Sequence, residues 1–207
     1  MASFDFGVHY SCQSPDGDWE HVYTESINQA RTAEELGFTT FSVSEHHFLE
    51  DGWVPTPEIL LGAIAAVTGD VRIGTNVTLL PLQNPIQVAE RAAVLDTLTG
   101  GGFRLGVSIG WRAPEFAGFG IDRAERVPRV VEGIDLVRRL LTERNVSFDG
   151  EFYDVDDITI TPRPVQNEIP IWYGGMAEPA IRRAADVADA WSISPFETPA
   201  ELADRLS

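Results

Sequence analysis

The chain has 207 residues, 43% of them hydrophobic, and a formal net charge of −17. That hydrophobic share suffices for a core and excludes a disordered chain, and the excess acid excludes nucleic acid or an anionic membrane as partner. All 15 basic residues are arginine; the lysine-free, carboxylate-dense composition suits a halophilic protein of a salt-saturated cytoplasm, with an ordinary acidic protein of a GC-rich genome as the other reading.

Cys12 is the lone cysteine, so no intramolecular disulfide framework exists. The segment from Met1 to Phe6 shows no basic or apolar leader, and no run approaches the length of a membrane span. A cytoplasmic, single-domain chain over residues 1–207 is expected.

Strand and helix signals alternate from the start. Phe4 to Tyr10 reads as a short strand. Trp19 to Leu36 reads as a helix, because Trp19, Val22, Tyr23, Ile27, Ala30 and Ala33 recur at helical spacing and Gly37 stops it. Thr39 to Ser44 is the second strand, and Pro57 to Val67 a second helix with Thr56 as its cap. Val71 to Leu80 is one β-branched strand. Asn84-Pro85-Ile86-Gln87 opens a third helix that runs to Leu98 and ends in Gly100-Gly101-Gly102; Phe103 to Ile109 is the fourth strand.

Then the rhythm breaks. Pro114 marks a loop, Val127 to Leu141 an amphipathic helix, and Asp149-Gly150 a hairpin turn. Thr159 to Gln166, with two prolines, is extended loop. Ile169 to Tyr173 and Trp191 to Ser194 are strands on either side of a helix from Glu178 to Ala188, and Thr198-Pro199-Ala200-Glu201 opens a last helix. Such alternation means parallel βα units with both sheet faces covered. Six units fit an open doubly wound sheet, or a barrel two units short of eight.

Four constellations could carry chemistry. Glu45-His46-His47 ends the second strand, where successive side chains point to opposite faces, so one imidazole can face a site while the other faces the helices. Adjacent histidines with no third ligand make a poor metal site, so no metal is expected. Gly74 and Asn76 inside a strand suggest a bulge or a close approach to a ligand. Gly106-Val107-Ser108-Ile109-Gly110 resembles a dinucleotide loop only superficially, since no helix follows Gly110 directly. Gly174-Gly175-Met176 precedes a helix, and is either an anion or phosphate site of backbone N–H groups or simply a tight turn. Trp53, Trp111, Trp172 and Trp191 fall near strand ends and could line an apolar pocket or pack its rim.

In order and spacing, these pieces resemble the bacterial luciferase-like monooxygenase superfamily of flavin-dependent oxidoreductases. The matching segments are Glu45-His46-His47-Phe48, Ile73-Gly74-Thr75-Asn76-Val77, Asn84-Pro85, Leu95-Asp96-Thr97-Leu98-Thr99-Gly100-Gly101, Leu105-Gly106-Val107 with Gly110-Trp111, Glu115-Phe116, Pro162-Arg163-Pro164-Val165-Gln166, Gly174-Gly175 and Ala188-Asp189-Ala190-Trp191. The resemblance implies an α/β fold of TIM-barrel type with about six of eight βα units, an insertion of helix plus hairpin after the fourth strand, and further units beyond Ser207. It implies a catalytic His46, a non-proline cis peptide at Asn76-Val77, and cofactor contacts from Asn76, Val77, Ser108, Gly174, Gly175 and Met176. Reduced FMN and molecular oxygen would then act on a small organic substrate, with a flavin reductase as supplier and a homodimer as the assembly. Some members use a deazaflavin coenzyme for hydride transfer instead, and some bind flavin without turnover. Ile109 stands where some flavin members place a phosphate-holding arginine, and Gly102 where many carry arginine.

Overall fold

The computed structural model describes residues 5–193 and 198–206. The first half of the chain forms β1 (Gly7–Tyr10), α1 (Trp19–Glu35), β2 (Thr40–Val43), α2 (Pro57–Ala65), β3 (Arg72–Thr75), β4 (Thr78–Leu79) and α3 (Pro85–Leu98). The second half forms β5 (Phe103–Ser108), α4 (Ala113–Phe119), α5 (Arg126–Thr142), β6 (Val146–Asp149), β7 (Asp154–Ile158), β8 (Ile171–Gly174), α6 (Glu178–Val187), β9 (Ala190–Ser192) and α7 (Pro199–Leu206). No helix among the described residues is long and apolar enough to cross a membrane.

One parallel sheet runs in the order β1-β2-β3-β5-β8-β9, with β4 continuing beside β5. Each strand lies next to its predecessor along the chain, with no point where the order reverses, so the sheet is the arc of a barrel and not a doubly wound sheet. The arc is curled. Ser192 of β9 donates to Asn76 Oδ1, just past β3, at 2.8 Å. Three strand spacings separate β3 from β9, about 14 Å if the sheet were flat.

Alternation along the strands divides the side chains between two faces. Phe41, Val43, Ile73, Phe103, Leu105, Val107, Ile171 and Tyr173 are buried on the outer face. They lie under a ring of helices in which α1, α2, α3, α5 and α6 each touch the next. The amphipathic helix of the irregular segment thus takes a regular place in that ring as α5, while the β6–β7 hairpin lies beyond it. The inner face carries polar and small residues, among them His9, Ser42, Asn76, Arg104 and Gly174.

The segment expected as one strand over residues 71–80 is two. Gly74 pairs with Arg104, but Thr78 pairs with Val107, so one extra residue is inserted opposite β5. The Asn76-Val77 bond within this bulge is cis, and so is Thr161-Pro162. Thr75 Oγ1 repairs the broken ladder: it donates to Gly106 O at 2.8 Å and accepts from Gly106 N at 3.0 Å. Residue 106 must be glycine, because a Cβ there would stand 2.1 Å from Thr75 O.

Other departures from expectation are local. Pro114 begins a helix: it occupies the first turn of α4, where a missing N–H costs nothing. The hairpin turn is not the two residues Asp149-Gly150. Asp149 pairs with Asp154, and the four-residue loop is held by the Glu132 carboxylate, which accepts from the N–H groups of Glu151, Phe152 and Tyr153. Thr56 precedes α2 without a side-chain cap bond. The expected first and sixth strands are shorter, and Phe4 and Ser194 lie outside the described residues. Cys12 is buried against Ser26 at 3.3 Å.

Several segments singled out in the sequence are clamps. Buried Asp96 accepts from Val165 N, Gln166 N and Gln166 Nε2, fixing the proline-rich loop to α3. Arg163 donates to the carbonyls of Leu140, Leu141 and Glu143 and closes the end of α5. Asp189 accepts from Ile171 N and sets the start of β8.

Candidate active site

The β2 strand delivers the Glu45-His46-His47 run to the C-terminal end of the sheet. His46 and His47 turn opposite ways. His46 Nδ1 lies 2.8 Å from Glu115 Oε1 on α4. A carboxylate oxygen only accepts, so Nδ1 carries the proton, and Nε2 has no partner among the described residues. Glu115 is fully buried, and the same Oε1 also accepts from His47 N at 3.0 Å and from Arg112 Nη1 at 3.2 Å. Its other oxygen, Oε2, has no partner among the described residues.

His47 lines neither cavity of the concave face and donates from Nε2 to Glu45 Oε1 at 2.8 Å. Glu45, 2% exposed, also accepts from Leu79 N at 3.0 Å and from Gln83 Nε2. The end of β2 is thereby tied to β4 just after the bulge. Arg91 donates to Gln83 and lies 3.7 Å from Glu58. Burial pushes the Glu58 carboxyl above its ordinary range, against the pull of Arg91.

Trp53 meets the His46 ring edge-on at 4.7 Å between centroids, and Trp111 at 6.2 Å. Trp53 Nε1 donates to Ser44 Oγ at 2.6 Å.

Two adjoining cavities, of about 350 and 440 Å³, open on the concave face and share His9, Asn76, Val77 and Ser108. The first extends to Gly174, Gly175, Met176 and Ser192; the second extends to His46, Trp53 and Trp111. All seven site residues singled out in the sequence thus face one cleft. A Cβ on Gly174 would stand 3.0 Å from Val77 Cγ1, so glycine keeps the floor between them open. The tryptophans divide: Trp172 lies lower, under Arg104 at 5.0 Å, and Trp191 donates to Gly175 O at 2.7 Å.

Sequence reasoning missed His9, Ser192 and the role of Glu115. Alternation along the first strand could have placed His9 on a single face. Glu115 offered no such signal, because its link to His46 spans 69 residues.

A family model described as luciferase-like monooxygenase matches residues 4–207, and the chain belongs to that family. Among curated relatives, the 4-hydroxyprotoasukamycin monooxygenase of Streptomyces nodosus subsp. asukaensis is 32% identical over 166 residues, 79% of this chain and 45% of that protein. The solved structure of monooxygenase RslO1 from Streptomyces bottropensis superposes with a TM-score of 0.90 at 28% identity, covering 98% of this chain and 64% of that one. Two more distant structures share the fold. The oxygenating constituent of 3,6-diketocamphane monooxygenase of Pseudomonas putida, in complex with FMN, has a TM-score of 0.80 at 21% identity over 89% of this chain and 55% of that one. An F420-dependent secondary alcohol dehydrogenase has a TM-score of 0.81 at 22% identity over 93% and 58%. The chain spans between 45% and 66% of the length of the curated relatives it matches.

Proposed function

We propose that this chain is a flavin-dependent oxidoreductase of the monooxygenase type, using reduced FMN and molecular oxygen on a small organic substrate. The observation that carries this reading is the convergence of His46, the Asn76-Val77 bulge and the Gly174-Gly175 bend on one cleft. The residues fit a flavin. Glycine at 174 leaves a shelf between Val77 and Ser108, and the lining is uncharged and half apolar, as a planar heteroaromatic ring requires. Asn76, Val77, Ser108, Gly174, Gly175 and Met176 would hold it.

Bound reduced flavin supplies electrons and, with oxygen, the oxidising chemistry. The chain's own residues supply the rest. Glu115 fixes the His46 ring with Nε2 unpaired, where it can accept a proton in the cleft and return it. Trp53 and Trp111 pack edge-on against that ring and limit its orientation. The monooxygenase names of the two relatives at 28% and 32% identity support this class.

Similarity to the F420-dependent structure favours a second reading, hydride transfer with a deazaflavin. No arginine lines either cavity among the described residues, so neither the FMN phosphate nor a polyanionic deazaflavin tail meets a cationic side chain there, and the lining does not choose between the two cofactors.

Stopped-flow mixing of the protein and reduced FMN with oxygenated buffer tests the proposal. Flavin oxidation should follow a course distinct from that of free reduced FMN, and His46→Asn should abolish the difference while FMN still binds. A wild-type course identical to that of free flavin overturns the reading. Binding of F420 in place of FMN would select the second one.

A further inference from the structure

We propose that His9 is a substrate-contacting residue, and that the cleft takes an uncharged ring-shaped substrate held through a hydroxyl or carbonyl oxygen. This rests on the reading of the cleft as the reaction site and names what that site accepts.

His9 lies on β1, in register with Ser42, and Ser42 Oγ is 3.1 Å from its Nδ1. That contact fixes the ring and leaves Nε2 without a partner among the described residues. His9 lines both cavities, whereas His46 lines only the second. The two imidazoles stand at different depths: His46 is four residues beyond Ser42 along the chain, up to about 13 Å in extended backbone. Ser42 Oγ can donate to or accept from His9 Nδ1, so His9 Nε2 can meet a carbonyl or a hydroxyl, whereas His46 Nε2, with Nδ1 protonated against Glu115, only accepts and meets a hydroxyl. The cavity the two rings share is also lined by Trp53, Trp111, Val77 and Leu79, apolar walls suited to a flat ring.

Local charge decides the class. Among the described residues, the cavity that holds both His9 and His46 has no arginine in its lining, and the chain has no lysine. The one carboxylate at the cleft, Glu45, already accepts from Leu79, His47 and Gln83. A charged substrate group would enter with no counter-ion, and burying an unpaired charge is costly. A neutral oxygen facing His9 carries no such cost.

Calorimetric titration with three naphthalene probes tests this. 2-Naphthol should bind about tenfold more tightly than 2-naphthoate. His9→Phe keeps a ring of similar size and should weaken 2-naphthol about tenfold, the loss of one hydrogen bond, while leaving unsubstituted naphthalene unchanged. His9→Gln, which keeps hydrogen-bonding atoms, should retain most of the preference, and circular dichroism checks the fold of both variants. The inference falls if 2-naphthol does not bind, if 2-naphthoate binds as well, or if His9→Phe weakens all three probes alike. A parallel FMN titration of the wild type separates the two claims: 2-naphthol binding that depends on His9, without FMN binding, would sink the flavin reading and leave this one standing.

Discussion

Glu115 has no contact with solvent, yet three donors converge on one of its oxygens: His46 Nδ1, His47 N and Arg112 Nη1. Removing it strands His46 Nδ1 and His47 N and leaves Arg112 Nη1 only its bond to His47 O. Glu115→Ala should therefore destabilise the fold by about 3 kcal/mol or more, the cost of breaking a buried pair from one side. Urea unfolding measures this, and an unchanged midpoint would show that the donors find water instead. Glu58 makes a prediction in pH. Burial raises its carboxyl in the folded chain, so the folded state keeps a proton that the unfolded state has released. Stability then falls as pH rises from the ordinary glutamate range to the raised value, because the folded state binds more protons there. Glu58→Gln removes that slope, so the variant should gain on the wild type as pH rises across the window. Parallel stability curves would contradict the shift.

The bulge between β3 and β4 is the element that shapes the cleft, and Gly106 beside it can be set against Gly118 on α4. A Cβ at residue 106 would stand 2.1 Å from the backbone oxygen of Thr75, which cannot yield without losing the β3–β5 pairing. Gly106→Ala should cost about 2–3 kcal/mol, the usual penalty for overpacking a rigid site. At Gly118 the clash, 2.3 Å, is with the Phe48 ring, an exposed side chain free to swing away. Gly118→Ala should cost less than about 1 kcal/mol. Denaturant midpoints of the two variants test the contrast, and equal losses would refute it. The same elements show what the sequence could reveal. Apolar alternation and the Asn84 and Gly37 signals were enough for the strand and helix order, because each is set by neighbours within a few residues. Gly74 and Asn76 announced the bulge for the same reason. The Glu115–His46 pair, the Asp96 clamp and the Ser192–Asn76 bond were not legible, since each joins residues about 70 or more positions apart. Pro114 misled because a helix start and a loop use the same residue.

For the whole molecule, charge and edges dominate. With 32 carboxylates against 15 arginines, self-repulsion acts over a Debye length that shrinks from about 30 Å at about 0.01 M salt to about 3 Å at 1 M. The melting temperature should rise across that range, and a salt-independent value would contradict the argument. The strands β1 and β9 each pair on one side only among the described residues. We propose that this 207-residue chain associates through such edges; sedimentation in high salt should report a dimer, and a stable monomer would contradict it. The claim on which the rest depends is that the Val77 bulge and the Gly174 bend form the two sides of one flavin shelf. Fluorescence titration of FMN against the wild type and Gly174→Val tests it most directly, because the new side chain would fill the space where a Cβ already approaches Val77 to 3.0 Å. Saturable binding by the wild type and at least tenfold weaker binding by a folded variant is the predicted result. Equal affinity in the two proteins, or no saturable binding in the wild type, would contradict the account.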